Sequence, residues 1–208
     1  GSQIPIKERG YYMPRIGFKN LYAAVMDEAT DVDGGAVTYQ APFKISNAIT
    51  GGFTPQTSEA SLYSDDSQSD YISNITGYDI TLNTRDLTPA VEAKLLGLDV
   101  DKNGGISHTS RANAPYVALM FESDMSDGKT EFNVFYKVKF NPVQKDVSTK
   151  GENIEFQTPS ITGRAIPRIA DELIDFVLVG GVGAAAGVKT VTDAWYTAPV
   201  KPTPVVIP

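Results

Sequence analysis

Cysteine is absent from the 208 residues, and histidine occurs once. Without thiols there is no disulfide framework and no thiolate metal site, and one imidazole leaves little scope for histidine-rich ligation or a catalytic triad. No window holds about 18 consecutive apolar residues, the length of a membrane-crossing helix. No charged-then-apolar leader precedes a small-residue cleavage site. Basic charge is the scarcer sign: 18 Lys and Arg against 25 Asp and Glu leave a net charge of −7. That argues against a surface that grips nucleic acid, though not against a passive relation to it.

What is present is ordinary for a globular protein: 41% hydrophobic and 21% charged residues, with 18 Gly and 13 Pro marking many turns. The class reads as mainly β, and the length suits one domain with extensions. Residues 1–14 read as a leader or cloning remnant, residues 15–198 as the domain, and residues 199–208 as a proline-rich tail.

The chain is organised around Ala114 to Phe140. Phe132, Val134, Tyr136, Val138 and Phe140 alternate with Glu131, Asn133, Lys137 and Lys139, the period of a half-buried strand, and only Phe135 breaks it. Tyr116 to Phe121 is apolar on both faces, so that strand is expected to be covered from two sides, by its own core and by a neighbouring subunit. Ser126 to Lys129 supplies a hairpin turn through Asp127 and Gly128. The second strand, Thr130 to Phe140, would reach about 36 Å at roughly 3.3 Å per residue.

Upstream, the segment from Arg15 to Met26 predicts a first strand. It pairs with a short strand in Ala36 to Ile45 that Pro42 interrupts. Asn47 to Asp70 is Ser/Thr/Gly/Asp-rich and predicts a long loop, either ordered and functional or disordered. Ile75 to Asn83 alternates as a strand. Thr88, Pro89, the stripe Val91, Leu95 and Leu98, and Gly97 predict a short helix packed on the sheets. Glu152 to Gly163 predicts a strand-rich passage with Ile154 and Phe156 on one face, in which Pro159 marks an edge or a strand end, and Val191 to Trp195 predicts a final strand. There is no internal repeat.

Three motifs suggest chemistry. Asp99, Asp101, Asn103, Gly104 and Ile106 match the first half of a calcium loop, but Ser110 stands where a bidentate Glu belongs and Pro115 precludes the second helix. Phe176 to Gly187 resembles a strand entering a dinucleotide loop, yet the remaining residues are β-branched and proline-rich, so a flexible small-residue loop is the better reading. Asp65 and Asp66 form an acidic pair with no His, Lys or Arg beside it, which describes a solvated loop more than a general acid and base. No catalytic constellation, cofactor or metal is expected.

Several segments together, IGFKNLYAA (16–24), AVTYQAP (36–42), LYSDD (62–66), LLGLDVDKNGG (95–105), APYVALMFES (114–123) and KGENIEFQTPSITG (150–163), resemble the major tail proteins of long-tailed bacteriophages and prophages of Gram-positive hosts. The resemblance spans about Ile16 to Gly163. It implies two packed antiparallel sheets, as a sandwich or barrel, with one flanking helix and long loops, related in fold to the tube protein of type VI secretion. It also implies hexameric rings stacked into a hollow tube that conducts the genome, assembled in the host cytoplasm and carried in the virion.

The implied partners are other copies, the tape measure, terminator and distal tail proteins, and DNA passing without specific binding; no membrane is implied. Tyr63, Asp65, Asp66 and Tyr71 in the loop, with Tyr116, Phe121 and Phe135 in the hairpin, are the expected inter-subunit residues. An acidic conduit agrees with this, because a basic wall would hold phosphates; screening over about 8 Å means only charges near the bore count. The alternative is a β-sandwich that binds carbohydrate or protein, for which Tyr63, Tyr71 and Tyr196 are too scattered in sequence.

Overall fold

Alternation of apolar and polar side chains drives most of this chain into strands, which a computed structural model describes for residues 14–64, 67–143, 158–181 and 183–203. In chain order the strands are β1 (Lys19–Val25), β2 (Phe43–Ser46), β3 (Ala48–Ser64), β4 (Ser67–Thr84), β5 (Asp99–Val100), β6 (Ile106–Ser107), β7 (Val117–Asp124), β8 (Lys129–Phe140), β9 (Ser160–Ala165) and β10 (Asp175–Gly181). Helix α1 (Pro89–Leu96) lies between β4 and β5, and α2 (Ala186–Asp193) follows β10. Eight strands form one antiparallel sheet in the order β2-β1-β7-β8-β9-β4-β3, with β10 also on β8; β5 and β6 form a small second sheet. The mainly β class stands; among the described residues there is no closed barrel, and there are two helices where one was expected.

The β7–β8 hairpin is where the sequence placed it, with Gly128 at φ 81° in the turn. Its faces follow a finer rule than simple alternation. Pairing runs Asp124↔Thr130 to Leu119↔Phe135 in one register, then Val117↔Val138 in another, so β8 carries a bulge between Phe135 and Val138. The bulge lies where β8 changes its second neighbour, from β10 (Asp175↔Phe135) to β9 (Val138↔Ala165). The expectation of one face for all five residues is therefore corrected. Val134 and Tyr136 pack on one side of the sheet, while Phe135, Val138 and Phe140 pack on the other.

Two cores result. The first fills the concave side, with Leu21, Ile80, Leu82, Leu119, Phe121, Phe135 and Phe140 joined by Leu95 and Leu96 of α1. The sheet curls far enough for Phe53 of β3 to stack on Phe121 at 4.6 Å and Phe135 at 5.2 Å between ring centroids. Helix α1 starts after Thr88 with Pro89 in its first turn and ends on Gly97 in the left-handed region (φ 63°). A Cβ on Gly97 would also lie 2.5 Å from the Asn113 carbonyl oxygen, so glycine is required twice over.

The second core covers the other side of β7 and β8. Ala24, Ala118, Met120, Val134 and Tyr136 are sealed by Trp195, with Val191, Tyr196 and Val200 around it. Both faces of β7 are thus buried by this chain itself, and the expectation that a neighbouring subunit covers the second face is corrected. The cover includes α2, where a strand had been expected over Val191 to Trp195. Its β-branched residues suggested a strand, but Val188, Val191, Thr192 and Trp195 are spaced three and four apart and share the less exposed side. The tyrosyl hydroxyl of Tyr136 donates to the Val200 carbonyl at 2.5 Å and pins the segment beyond the helix.

One smaller correction concerns the first half. The strand expected in Ala36 to Ile45 forms only after Pro42, with Met26↔Tyr39 as an isolated bridge before it. The predicted strand face at Ile154 and Phe156 lies outside the described residues.

Candidate assembly surfaces

The expected loop Asn47 to Asp70 is, where described, strand. Pairing of β3 with β4 runs from Ala48↔Thr84 to Ser64↔Ser67, and Tyr63 and Tyr71 lie on this ribbon opposite Gln68 and Ser61. Asp65 and Asp66 are outside the described residues. Sequence reading missed the strands because Ser, Thr, Gly and Asp dominate and the few apolar residues do not alternate regularly.

Among the described residues only the base of the ribbon has a third strand: β9 pairs with β4 from Tyr78↔Ala165 to Asn83↔Ser160. At Gly77 the two backbones approach so closely that a Cβ would collide with the Ala165 carbonyl. Beyond Gln56↔Gly77 the hairpin continues alone to Ser64↔Ser67, a reach of roughly 25 Å at 3.3 Å per residue. Thr57 to Glu59 and Ser73 to Thr76 are exposed, Ile75 included. A two-stranded ribbon that stands alone is at best marginal in water.

A second feature lies at the ribbon base. A cavity of about 610 Å³ opens between Arg15 to Phe18, the first part of β3 (Ile49 to Pro55), β8 and β10. Phe18, Phe53, Phe121 and Phe135 form its apolar wall, and Glu131 and Asn133 its polar floor. Arg15 donates to both oxygens of Glu131, from Nε at 3.0 Å and Nη2 at 3.1 Å, and Asn133 Nδ2 donates to Glu131 Oε1 at 3.1 Å. Such a paired, hydrogen-bonded carboxylate tolerates its burial. Burial pushes the Asp175 carboxyl, also on the wall, above the usual carboxylate range.

At the opposite end of β8 the sheet holds a closed polar cluster. Lys137 donates to Asp31 at 2.6 Å, and Asp31 also accepts the Ile169 and Ala170 N–H groups. Burial alone would raise the Asp31 carboxyl, but these partners outweigh it and hold it below the usual range. Arg168 binds Asp171 with two nitrogens, at 2.9 and 2.6 Å, and lies over the Tyr136 ring. This is scaffold chemistry, with every charge engaged by a partner.

The remaining expected residues are distributed as follows. Tyr116 is half-buried beneath the ammonium groups of Lys137 and Lys139, 4.9 and 5.1 Å from its ring. Phe121 and Phe135 are 4% and 6% exposed in the concave core, so their ring contacts are within the chain. The calcium-like segment is the turn between β5 and β6, where Asp101 accepts N–H bonds from Asn103 and Gly105 at 2.8 Å each. These bonds hold its carboxyl below the usual range. Among the described residues no group of three or more His, Asp or Glu is placed to hold a metal. Arg15, Glu131 and Asp175 were missed as a group; the polar residues of β8 were visible as an alternating face, but not that this face closes over a cavity.

The sequence model of one protein family, described as phage tail tube protein, matches residues 13–176. No curated protein matches the chain.

Proposed function

The chain belongs to the phage tail tube protein family, and from that premise we propose that it assembles with copies of itself into hexameric rings, stacked as a hollow conduit for DNA ejection. Its role is structural, in the tail of the virion, in assembly with itself and with other tail components. The finer partners are the tape measure, terminator and distal tail proteins, with the tube built in the host cytoplasm. DNA passes without specific contacts, in keeping with the net charge of −7.

One observation carries the assembly reading: the β3–β4 ribbon, which leaves its sheet after Gln56↔Gly77 and, among the described residues, has no third strand beyond it. A ribbon of that length gains order when a neighbouring copy covers it. We assign the inter-subunit contacts to its outer part, including Tyr63, Asp65, Asp66 and Tyr71, with Tyr116 at the half-buried rim of the sheet. The test is negative-stain microscopy of the concentrated chain beside a variant in which residues 58–74 are replaced by Asn-Gly, a two-residue turn that rejoins the paired Thr57 and Ile75. The intact chain forms hollow filaments and the folded variant none. A variant that polymerises like the parent overturns the ribbon assignment, and an intact chain that stays monomeric with its tail partners overturns the tube.

A further inference from the structure

The polar wall of the cavity at the ribbon base presents hydrogen-bond acceptors to whatever enters. Its floor is set by the buried Glu131: Oε1 accepts from Arg15 Nε and Asn133 Nδ2, and Oε2 accepts from Arg15 Nη2. Carboxylate and guanidinium therefore match each other's charge. Because the Asn133 amide turns its Nδ2 to Glu131, its Oδ1 is left as an acceptor on the lining, with no donor on it among the described residues.

Asp175 supplies a second acceptor and a charge. In the β8–β10 ladder it lies opposite Phe135 while Asn133 lies opposite Val177, so Asp175 and Asn133 are diagonal neighbours on the concave face. Diagonal positions on paired strands are about 7–8 Å apart at the backbone. Among the described residues the Asp175 carboxyl has neither a hydrogen bond nor an ion pair, and burial raises it with nothing to oppose the shift. Asp31 and Asp171 show the contrast, since bonded cations hold both low.

The rest of the lining is largely hydrocarbon. Phe18 meets Phe121 at 5.2 Å between centroids, and Phe53 meets Phe121 at 4.6 Å and Phe135 at 5.2 Å, a continuous apolar wall. Ile49 and Val177 carry it to the rim, where they are 48% and 44% exposed. Apolar surface left open beside a cavity of about 610 Å³ is a place for a ligand's hydrocarbon.

A matching ligand brings positive charge and hydrogen-bond donors to Asp175 and Asn133, and hydrocarbon to the rings and rim. An ammonium has donors only, and they diverge, which suits two separate acceptors; the planar fork of a guanidinium suits one carboxylate gripped at both oxygens. We propose that this cavity binds a free primary alkylammonium compound, its ammonium held between Asp175 and Asn133 and its chain laid along Phe18 and Phe53 to Ile49. The site lies within one subunit and does not rest on the self-assembly reading.

The test titrates n-hexylammonium into the full-length, unassembled chain at pH 7 and follows the Asn133 side-chain amide by NMR. Binding is saturable, 1-hexanol binds about tenfold more weakly because a charged hydrogen bond is lost, and hexanoate does not bind. Asp175→Asn keeps the shape of the wall, weakens n-hexylammonium about tenfold and leaves 1-hexanol unchanged. The Asp175 carboxyl carbon titrates above 3.8 in the free chain and lower with ligand bound, so affinity is full above the raised value and fades as pH falls through it. Equal affinities for n-hexylammonium and 1-hexanol, or an unchanged affinity in Asp175→Asn, overturn the ammonium assignment. A carboxyl that titrates at or below 3.8 in the free chain means that a cation of the chain itself fills the site, and overturns it as well. Absence of saturable binding overturns the site. None of these outcomes bears on filament formation, so the tube reading stands or falls separately.

Discussion

Two hairpins of one sheet have opposite fates. The β7–β8 hairpin is covered on one side by the Phe53, Phe121 and Phe135 stack and on the other by Trp195 and the C-terminal segment. Among the described residues no third strand pairs with the outer β3–β4 hairpin, and Thr57 to Glu59 and Ser73 to Thr76 are exposed. The difference follows from composition: the first presents Val, Leu, Met and Phe to both faces and must bury them at once, whereas the second is rich in Ser and Thr with only isolated apolar residues. On the proposed reading the completed hairpin is the scaffold and the outer one the means of joining.

The sharpest way to break this contrast is to uncover the scaffold. Trp195 is 1% exposed and packs against Phe132 and Phe176, at 5.5 and 6.1 Å between centroids. Trp195→Ala should cost about 3–5 kcal/mol in denaturant unfolding, and would expose the second face of β7. A loss under about 1 kcal/mol would show that α2 and its extension are an accessory and not a wall of the core.

Next in size is the Lys137–Asp31 pair. Asp31→Ala leaves a buried ammonium without its carboxylate and should cost about 3 kcal/mol at neutral pH. Because the folded-state carboxyl lies below its ordinary value of 3.8, its stabilisation is complete above that value and fades as pH falls through the lowered one. The parent and Asp31→Ala curves of stability against pH should therefore converge in acid; parallel curves would contradict the pairing.

Gly97→Ala should cost about 1–2 kcal/mol, from the left-handed φ and the contact with the Asn113 carbonyl. Smallest is Asp175→Asn. Its carboxyl is raised, so the folded state is favoured below the ordinary value and loses that advantage as pH rises through the raised one. The variant should melt slightly higher than the parent at pH 7, and the gain should vanish near pH 3. A lower melting temperature at pH 7 would mean the carboxylate holds a partner at the cavity.

The contrast also explains what was legible beforehand. The β7–β8 hairpin and α1 could be read because burial writes a period into sequence and because Thr88, Pro89 and Gly97 punctuate the helix. Phe135 was the visible trace of the bulge, an apolar residue out of phase just where β8 exchanges β10 for β9. The ribbon was invisible because a stretch dominated by Ser, Thr, Gly and Asp carries no apolar period. Helix α2 was misread because Val188, Thr190, Val191 and Thr192 favour strands, and what decides otherwise is the docking of Trp195, a tertiary effect. The cavity was illegible for the same reason: residues 15, 49, 131 and 175 meet only after the sheet curls.

The central claim is that the ribbon is unfinished in one subunit and finished by another. Amide hydrogen exchange measured residue by residue on monomer and assembled filament tests it most directly. Thr57 to Ser64 and Ser67 to Thr76 should exchange rapidly in the monomer and become protected in the filament, while Val117 to Phe121 is protected in both. Ribbon amides that exchange equally fast in both states would contradict the account.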